Sequence, residues 1–259
     1  MNVLARLWFV PAVIAVWEIV TRGAGSTDFP PPSAIVLRMH EMWFSGPASH
    51  LFLTDDALAN IVPSLQRMFG GWILAAVLGV AVGVVLGRRP RVAQYFDPLF
   101  EFGRAIPPPL LIPLFLVLFQ AGLPMHLATI VFGVIWPVLL NSIDGARAVD
   151  RTYTETGVVF GLSRAQRLRM IVIPAASPKI FAGLRLSLSL ALILMVISEL
   201  FGSSDGIGYQ LLQAQRGFDT PGVWATIALL GLLGYLVNAL FVLVEHRMLL
   251  WHRQAGRTT

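Results

Sequence analysis

The chain has 259 residues, of which 56% are hydrophobic and only 13% are charged, and its mean hydropathy is +0.73. A soluble domain carries about a quarter charged residues, so this composition excludes an ordinary soluble domain and indicates a membrane protein. The formal net charge is +5, and the lack of any cysteine excludes disulfides, thiol catalysis and cysteine-ligated metal.

Apolar runs predict the membrane spans. A spanning helix needs about 20 mostly apolar residues, and five runs meet this criterion. A sixth, shorter run opens with a proline cluster, which a span tolerates when neighbouring helices satisfy the freed carbonyl groups. The six predicted spans lie at residues 3–20, 68–87, 105–120, 124–143, 184–201 and 223–244. The first is also compatible with a cleaved signal peptide, although Trp17 and Glu18 at its end favour an uncleaved helix.

The distribution of basic residues predicts the orientation of these spans. With six spans, all of the 19 basic residues except Arg22, Arg38, Arg67 and Arg216 lie on the same side as the N-terminus. Because positive charge is retained in the cytoplasm, both termini and the loop at 144–183 are predicted to be cytoplasmic.

The predicted fold class is therefore an all-α integral membrane protein with about six transmembrane helices, a cytoplasmic helical hairpin and a short external amphipathic helix. Residues 1–28 form an N-terminal transmembrane helix, and 29–64 form an external, proline-led amphipathic segment. Residues 65–250 form a core of five transmembrane helices that includes loop 144–183. Residues 251–259 form a cytoplasmic tail.

The cytoplasmic loop contains "TETGVVFGLSRAQRLRMIVIPAASP", residues 154–178, which predicts two short helices. Thr152 with Glu155, and Ser163 with Gln166, fit two capping boxes, in which a hydroxyl and a side chain three residues later satisfy the free amides of a helix start. Gly161 lies between them, where a left-handed residue would end the first helix.

The second helix of this hairpin is predicted to be basic and amphipathic. Its apolar residues recur at helical spacing, and Arg164 and Arg167 lie on another face. Pro174 and Pro178 are predicted to interrupt it before the next span begins. From charge alone, these arginines could simply anchor the loop against anionic lipid.

The spacing of the hairpin resembles the loop signature of ABC importer permeases. In that signature Glu-Ala-Ala is followed after three residues by Gly, and after nine more by Ile-x-Leu-Pro. The spacing is matched by Glu155, Gly161, Ile171 and Pro174. The departures are Thr156 and Gly157 in place of the alanines and Ile173 in place of the leucine. A glycine costs about 1 kcal/mol of helix propensity relative to alanine, so a less rigid first helix is expected.

Further segments extend the resemblance over residues 30–250. They include "DFPPPSAIV", "FDPLFEFGRAIPPPLLIPLFLVLF" and "PKIFAGLRLSLSLALILMVISELFG". These segments look like the sub-family that imports nitrate, aliphatic sulfonates, taurine and some thiamine precursors.

The resemblance implies a permease of the cytoplasmic (inner) membrane whose hairpin docks in a cleft of an ATPase subunit. The residues implied in this coupling are Glu155, Thr156, Gly157, Gly161, Ser163, Arg164, Arg167 and Pro174. The implied partners are two copies of a cytoplasmic ABC ATPase, a second permease copy in a homodimer, and an external solute-binding protein, with no nucleic acid.

The chain itself is predicted not to be an enzyme. A phosphate-binding loop needs Gly-Lys-Ser/Thr, and the only lysine, Lys179, lies between Pro178 and Ile180. ATP and Mg would therefore be held by the ATPase, with no cofactor and no metal in this chain. His246 and His252 are six residues apart, a spacing that does not suit a chelating pair on one helix.

Four polar residues of the fifth span are candidates for the translocation pathway or its gate: Ser187, Ser189, Ser198 and Glu199. An ionisable residue within a span is a functional candidate, although Glu199 is near the external end and could reach the lipid headgroups. Serines within spans also mediate close helix packing.

The leading hypothesis is thus a binding-protein-dependent importer permease for a small anionic nitrogen or sulfur compound such as nitrate, sulfonate or taurine. A permease for a thiamine precursor or another small organic compound is the first alternative. A secondary transporter would show inverted repeats, which are not evident. A membrane anchor for a redox enzyme would need cofactor ligands in its spans, and a vitamin-importer scaffold would not carry the hairpin spacing.

Overall fold

The computed structural model describes residues 8–250, which form eleven α-helices and no strand. The helices are α1 (Phe9–Ala24), α2 (Pro32–Met39), α3 (Asp55–Gly87), α4 (Pro90–Ala105), α5 (Ile112–Phe119), α6 (Leu123–Arg147), α7 (Arg151–Val159), α8 (Arg164–Arg167), α9 (Ile173–Gly202), α10 (Ile207–Arg216) and α11 (Thr220–Met248). A π-helical turn, His40–Phe44, extends α2, and another, Leu168–Val172, joins α8 to α9. The all-α prediction is confirmed.

Four helical segments in the described part are long and apolar enough to cross a membrane: Ala48–Gly87, Leu123–Arg147, Arg164–Gly202 and Thr220–Met248. The pair Pro90–Ala105 and Pro108–Phe119 bends by 84° and makes a fifth if the pair is one span. The first predicted span, 3–20, overlaps α1, but residues 1–7 lie outside the described residues, as does the predicted tail at 251–259. Length and composition therefore support four or five spans within residues 8–250, where six were predicted for the whole chain.

Two boundaries differ from the sequence prediction for identifiable reasons. Helix α3 begins at Asp55, well before the predicted span at 68, because a polar and amphipathic stretch precedes the apolar run and Pro63 does not end the helix. Helix α4 was not predicted, because charged residues recur along it and break up its apolar positions, so it contains no long apolar run.

The described chain divides into two compact units. One contains the residues up to Leu65 together with Ser203–Leu233, and the other contains Gln66–Gly202 and the residues from Gly234. Helices α3 and α11 each contribute residues to both units.

The core of the first unit forms around Trp43, which is completely buried with Ile35, Ala57 and Leu229. Trp43 Nε1 donates a hydrogen bond to Gln210 Oε1 at 3.0 Å. Such a bond lets a large aromatic residue be buried without leaving its N–H unsatisfied.

The start of α10 is held by side chains of α3 in the same unit. Asn60 Oδ1 accepts the backbone N–H of Gly206, and Ser64 Oγ accepts that of Ile207, each at 2.8 Å. The first amides of a helix have no partner within the helix, so these two side chains satisfy donors that would otherwise be buried and unpaired.

Arg38 links α2 to the start of α11. Its guanidinium donates two hydrogen bonds to Asp219 Oδ2, at 2.6 Å from Nη2 and 3.0 Å from Nε. These bonds raise the pKa of Arg38 above its usual value. The ion pair thus fixes the predicted external segment against the last helix.

In the second unit, small residues allow α3 to lie very close to α6. Gly79, Gly83 and Gly87 recur every four residues and form one stripe on α3. A Cβ placed on Gly83 would lie 2.6 Å from Ser142 Cβ and 2.7 Å from the backbone oxygen of Leu139. Small residues at this spacing permit close helix contact in a membrane, where helix association depends on van der Waals packing.

Candidate coupling hairpin and buried polar cluster

The first helix of the hairpin, α7, is capped by Asp150. Its carboxylate accepts the backbone N–H of Thr152 at 2.8 Å, and this bond lowers the pKa of Asp150. The predicted capping box of Thr152 and Glu155 is therefore wrong, because the aspartate two residues earlier is the N-cap and Thr152 lies inside the helix. Glu155 instead accepts a hydrogen bond from Arg151 Nε at 2.5 Å on the exposed surface.

The corner between the two arms of the hairpin is formed as predicted. Gly161 has a φ of +70°. The amide of Leu162 bonds the carbonyl of Gly157, and the amide of Gly161 bonds that of Val158, both at 2.9 Å. This pair of bonds is a Schellman motif, which requires a left-handed residue at the position of Gly161.

The second arm starts with the predicted capping box. Ser163 Oγ accepts the backbone N–H of Gln166 at 3.3 Å, and Gln166 Oε1 accepts that of Ser163 at 2.8 Å. Both ends of the turn are thus fixed by hydrogen bonds between residues that are close in sequence.

The prediction that Pro174 and Pro178 interrupt the second arm is wrong. The helix runs continuously from Arg164 through both prolines to Gly202. A proline inside a helix clashes with the carbonyl four residues earlier, and the wider π-helical turn at Leu168–Val172 provides room just before Pro174. The hairpin is therefore a direct extension of a membrane span.

Gly157 has a packing role that the sequence did not indicate. It is the only buried residue of α7, and a Cβ there would lie 2.8 Å from Ile171 Cδ1. A side chain at this position would force the Ile171 and Arg167 side chains to shift, so the glycine allows the two arms to pack closely.

Two cavities with no lining residue in common lie against the hairpin. The larger, about 550 Å³, is apolar, and its walls include Tyr153, Phe160, Leu162, Met170 and Pro174. Tyr153, Phe160 and Met170 are 62%, 78% and 64% exposed. The smaller, about 370 Å³, is lined by four arginines: Arg88, Arg89, Arg164 and Arg167.

The structure distributes the eight predicted coupling residues over both faces of the hairpin. Thr156, Gly157 and Pro174 line the apolar cavity, and Arg164 and Arg167 line the basic one. The other three are exposed on the arms or at the corner: Glu155, Gly161 and Ser163.

Glu199 is completely buried and forms an ion pair with Arg67, with 2.8 Å between Oε1 and Nη1. The Arg67 side chain is only 12% exposed. This burial is incompatible with the alternative in which the Glu199 carboxylate reaches the lipid headgroups. Removing either side chain of such a pair leaves the other charge buried, so loss of one partner is expected to destabilise the contact between α3 and α9.

Two of the three predicted pathway serines make contacts between helices. Ser198 Oγ lies 3.0 Å from His126 Nδ1, and both side chains are buried. Ser187 Oγ accepts a hydrogen bond from Trp72 Nε1 at 2.8 Å. Ser189 is exposed. A role of these residues in the pathway or gate stays a prediction.

Sequence reasoning missed the three partners of this cluster: Arg67, Trp72 and His126. Arg67 had been assigned to the external side on the assumption that its span began at residue 68. The need to balance the charge of Glu199 could have identified Arg67, because a carboxylate inside a span needs a cation nearby. Arg67 directly precedes the predicted span at 68–87. Within residues 8–250, no group of three His, Asp or Glu side chains is arranged to hold a metal ion.

Comparison with known proteins shows the family. The family described as "Binding-protein-dependent transport system inner membrane component" matches residues 75–250. A putative aliphatic sulfonates transport permease protein of Bacillus subtilis is 32% identical, over 93% of this chain and 86% of the relative. A nitrate import permease protein of Leptolyngbya laminosa is 28% identical, over 91% and 84% of the two chains. A taurine transport system permease protein of Escherichia coli is 27% identical, over 91% and 85%.

Solved structures show the same fold. An inward-facing structure of the MetNI methionine ABC transporter aligns with a TM-score of 0.62 at 18% identity, over 71% of this chain and 92% of that one. An amino acid ABC transporter aligns with a TM-score of 0.55 at 19% identity, over 73% and 92%. The chain therefore belongs to the family of binding-protein-dependent transport system inner membrane components, and it is a multi-pass, non-catalytic permease subunit of the ABC importer class.

Proposed function

We propose that this permease imports a small anion delivered by an external binding protein, and that the hairpin from Arg151 to Val172 couples it to a cytoplasmic ATPase. Relatives at 26–32% identity are permeases for aliphatic sulfonates, nitrate, bicarbonate and taurine, whose common chemistry is a compact oxyanion group. The alternative is that the chain is a permease for a thiamine precursor. In that case, these anions should not inhibit uptake of the transported compound.

The single observation that carries the coupling proposal is the apolar cavity of the hairpin. Phe160, Tyr153 and Met170 are exposed around it, although the corner next to them is fixed by hydrogen bonds. A rigid, exposed apolar surface on a hydrogen-bonded scaffold is typical of a protein-binding site. Since α8 is continuous with α9, movement of the docked hairpin would be transmitted directly into a membrane span.

The proposed assembly has two copies of this chain and two of the ATPase, with both termini and the hairpin in the cytoplasm. ATP and Mg bind to the ATPase subunits. The permease presents its pathway alternately to each side, because the ATPase states differ in how tightly they bind each permease state. A closed dimer is the usual symmetry for two identical subunits around one pathway.

The coupling proposal is tested with Phe160→Ser in proteoliposomes that contain the permease, its ATPase and the binding protein. Phe218→Ser is the matched control, because Phe218 is 91% exposed but lies outside the hairpin, between α10 and α11. Removing a central aromatic anchor costs about 2 kcal/mol or more, so ATPase binding should weaken about 30-fold. Phe218→Ser should bind the ATPase like the wild type.

The outcome that contradicts the proposal is equal ATPase binding and equal ATP-dependent uptake for both variants. The substrate is tested separately by competition. Sulfonate, nitrate or bicarbonate should inhibit uptake of the transported anion, and inhibition only by a pyrimidine compound would support the alternative.

A further inference from the structure

The basic cavity on the hairpin is a separate feature from the apolar docking surface. Arg88 and Arg89 follow the end of α3, and Arg164 and Arg167 lie on α8, so two distant parts of the chain contribute two guanidinium groups each. The cavity has a volume of about 370 Å³. This volume is sufficient for a single anionic group surrounded by the four side chains.

These four arginines have no acidic partner among residues 8–250. Their hydrogen bonds there go to backbone carbonyls: Arg88 Nη1 lies 3.4 Å from the oxygen of Ala146, and Arg167 Nη1 lies 3.0 Å from that of Leu162. By contrast, Arg22, Arg38 and Arg151 each form an ion pair with a carboxylate. Four like charges lining one cavity repel each other and create a strongly positive potential.

The remaining walls of the cavity are Thr154 and four apolar residues, and they include the end of a membrane span. Val84 and Val85 belong to the last turn of α3, and Leu168 and Val172 belong to the π-helical turn. Val85 is 49% exposed. The cavity thus combines a basic wall with an apolar wall at the end of α3, a helix long and apolar enough to cross a membrane.

We propose that this cavity binds the phosphate group of an anionic phospholipid from the cytoplasmic leaflet. Guanidinium groups recognise phosphate through paired, charge-assisted hydrogen bonds, and four of them favour an anion in a cavity that no carboxylate lines. The acyl chains lie along the exposed side of Val85. The bound lipid joins the end of α3 to the hairpin, so it stabilises the hairpin against the span.

This site differs from simple anchoring of a basic loop. Anchoring depends on the total charge near the membrane, whereas binding in the cavity depends on the four arginines that line it. Arg169 provides the comparison, because it is exposed on the same hairpin but does not line the cavity. Arg91, in the first turn of α4, is a second exposed arginine outside the cavity.

The test uses the full-length permease in nanodiscs of phosphatidylcholine that contain a small fraction of phosphatidylglycerol. Native mass spectrometry counts the phosphatidylglycerol molecules that stay bound to wild type, Arg88→Gln, Arg164→Gln, Arg169→Gln and Arg91→Gln. Each cavity variant should weaken retention about fivefold, as expected for about 1 kcal/mol per arginine at an anionic membrane surface. Arg169→Gln and Arg91→Gln should retain the lipid like the wild type.

Other outcomes overturn the proposal. Equal losses in all four variants would mean that only total charge matters. If inorganic phosphate displaces the phosphatidylglycerol at low concentration, or protects the permease against heat in pure phosphatidylcholine, the site takes a free anion instead. If Arg88→Gln and Arg164→Gln retain the lipid but, in a separate binding assay, release the ATPase, the cavity binds an acidic segment of that partner. Lipid retention is measured without ATPase or transport, so its failure leaves the proposed function unaffected.

Discussion

The contact between α3 and α6 gives the sharpest stability prediction, Gly83→Ala. The added Cβ would lie 2.6 Å from Ser142 Cβ and 2.7 Å from the carbonyl oxygen of Leu139. Carbon atoms normally approach to about 3.5 Å, so the helices must separate locally by about 0.9 Å. The Leu139 oxygen is backbone, so it cannot move unless α6 moves with it. Overpacking of this kind costs about 1–3 kcal/mol.

The matched control is Gly231→Ala on α11. No atom of the described chain outside its own helix lies within 4 Å of the position that this Cβ would take. Both variants gain the same helix propensity, about 1 kcal/mol, so the difference between them isolates the packing term. In thermal unfolding of the purified permease, the melting temperature of Gly83→Ala should lie about 3–10 °C below that of Gly231→Ala. Equal melting temperatures would refute the close contact of α3 with α6.

Three further predictions concern the polar cluster, the hairpin cap and the orientation. Glu199→Leu alone should lower the free energy of unfolding by about 3–5 kcal/mol, because Arg67 keeps its buried charge. In chemical unfolding, the double variant Glu199→Leu with Arg67→Met should recover part of this loss. If the losses of the two single variants simply add in the double variant, the pairing is contradicted. Because the folded-state pKa of Asp150 lies below the unfolded value of about 3.9, its stabilisation of α7 should be complete above about pH 4 and disappear as the pH falls through the folded-state pKa. Amide exchange of α7 should show this acid loss in the wild type but not in Asp150→Asn, which keeps an uncharged cap; identical pH profiles would contradict it. In this cysteine-free chain, Ala165→Cys and Gln215→Cys should react with impermeant maleimide from opposite sides of the membrane, and labelling from one side would overturn the predicted orientation.

Local signals predicted the hairpin corner correctly. Gly161, Ser163 and Gln166 form the turn and the cap through bonds between residues close in sequence, so their types and spacing carried enough information. The start of α7 was mispredicted because Asp150 and Thr152 are both good capping residues. Thr152 was chosen as the N-cap because it forms a capping-box pattern with Glu155, whereas the N-cap is Asp150.

Features that depend on contacts between distant residues were not predictable in the same way. Gly157 was expected only to weaken a helix, because the sequence does not show that Ile171 lies against it. Glu199 was recognised as unusual, but its partner Arg67 is 132 residues away and had been placed outside the membrane. Pro174 was expected to end a helix, and the π-helical turn that accommodates it has no sequence signal of its own.

The division into spans shows the same limit. The strongly apolar helices α3, α6, α9 and α11 each contain one predicted span, because a long apolar run is a signal that needs no tertiary context. The bent pair of α4 and α5 was only half predicted. Its first member is amphipathic, and its stability depends on contacts such as that of Phe100 with Trp136, whose ring centroids are 6.3 Å apart.

The central claim, that this permease couples to an ATPase through its hairpin, is tested most directly by native mass spectrometry of the complex purified from its own host through a tag on this chain. The expected mass corresponds to two copies of this chain with two copies of an ABC ATPase. If the chain emerges alone, or with a redox enzyme, under conditions that keep a reference importer intact, the coupling function is contradicted.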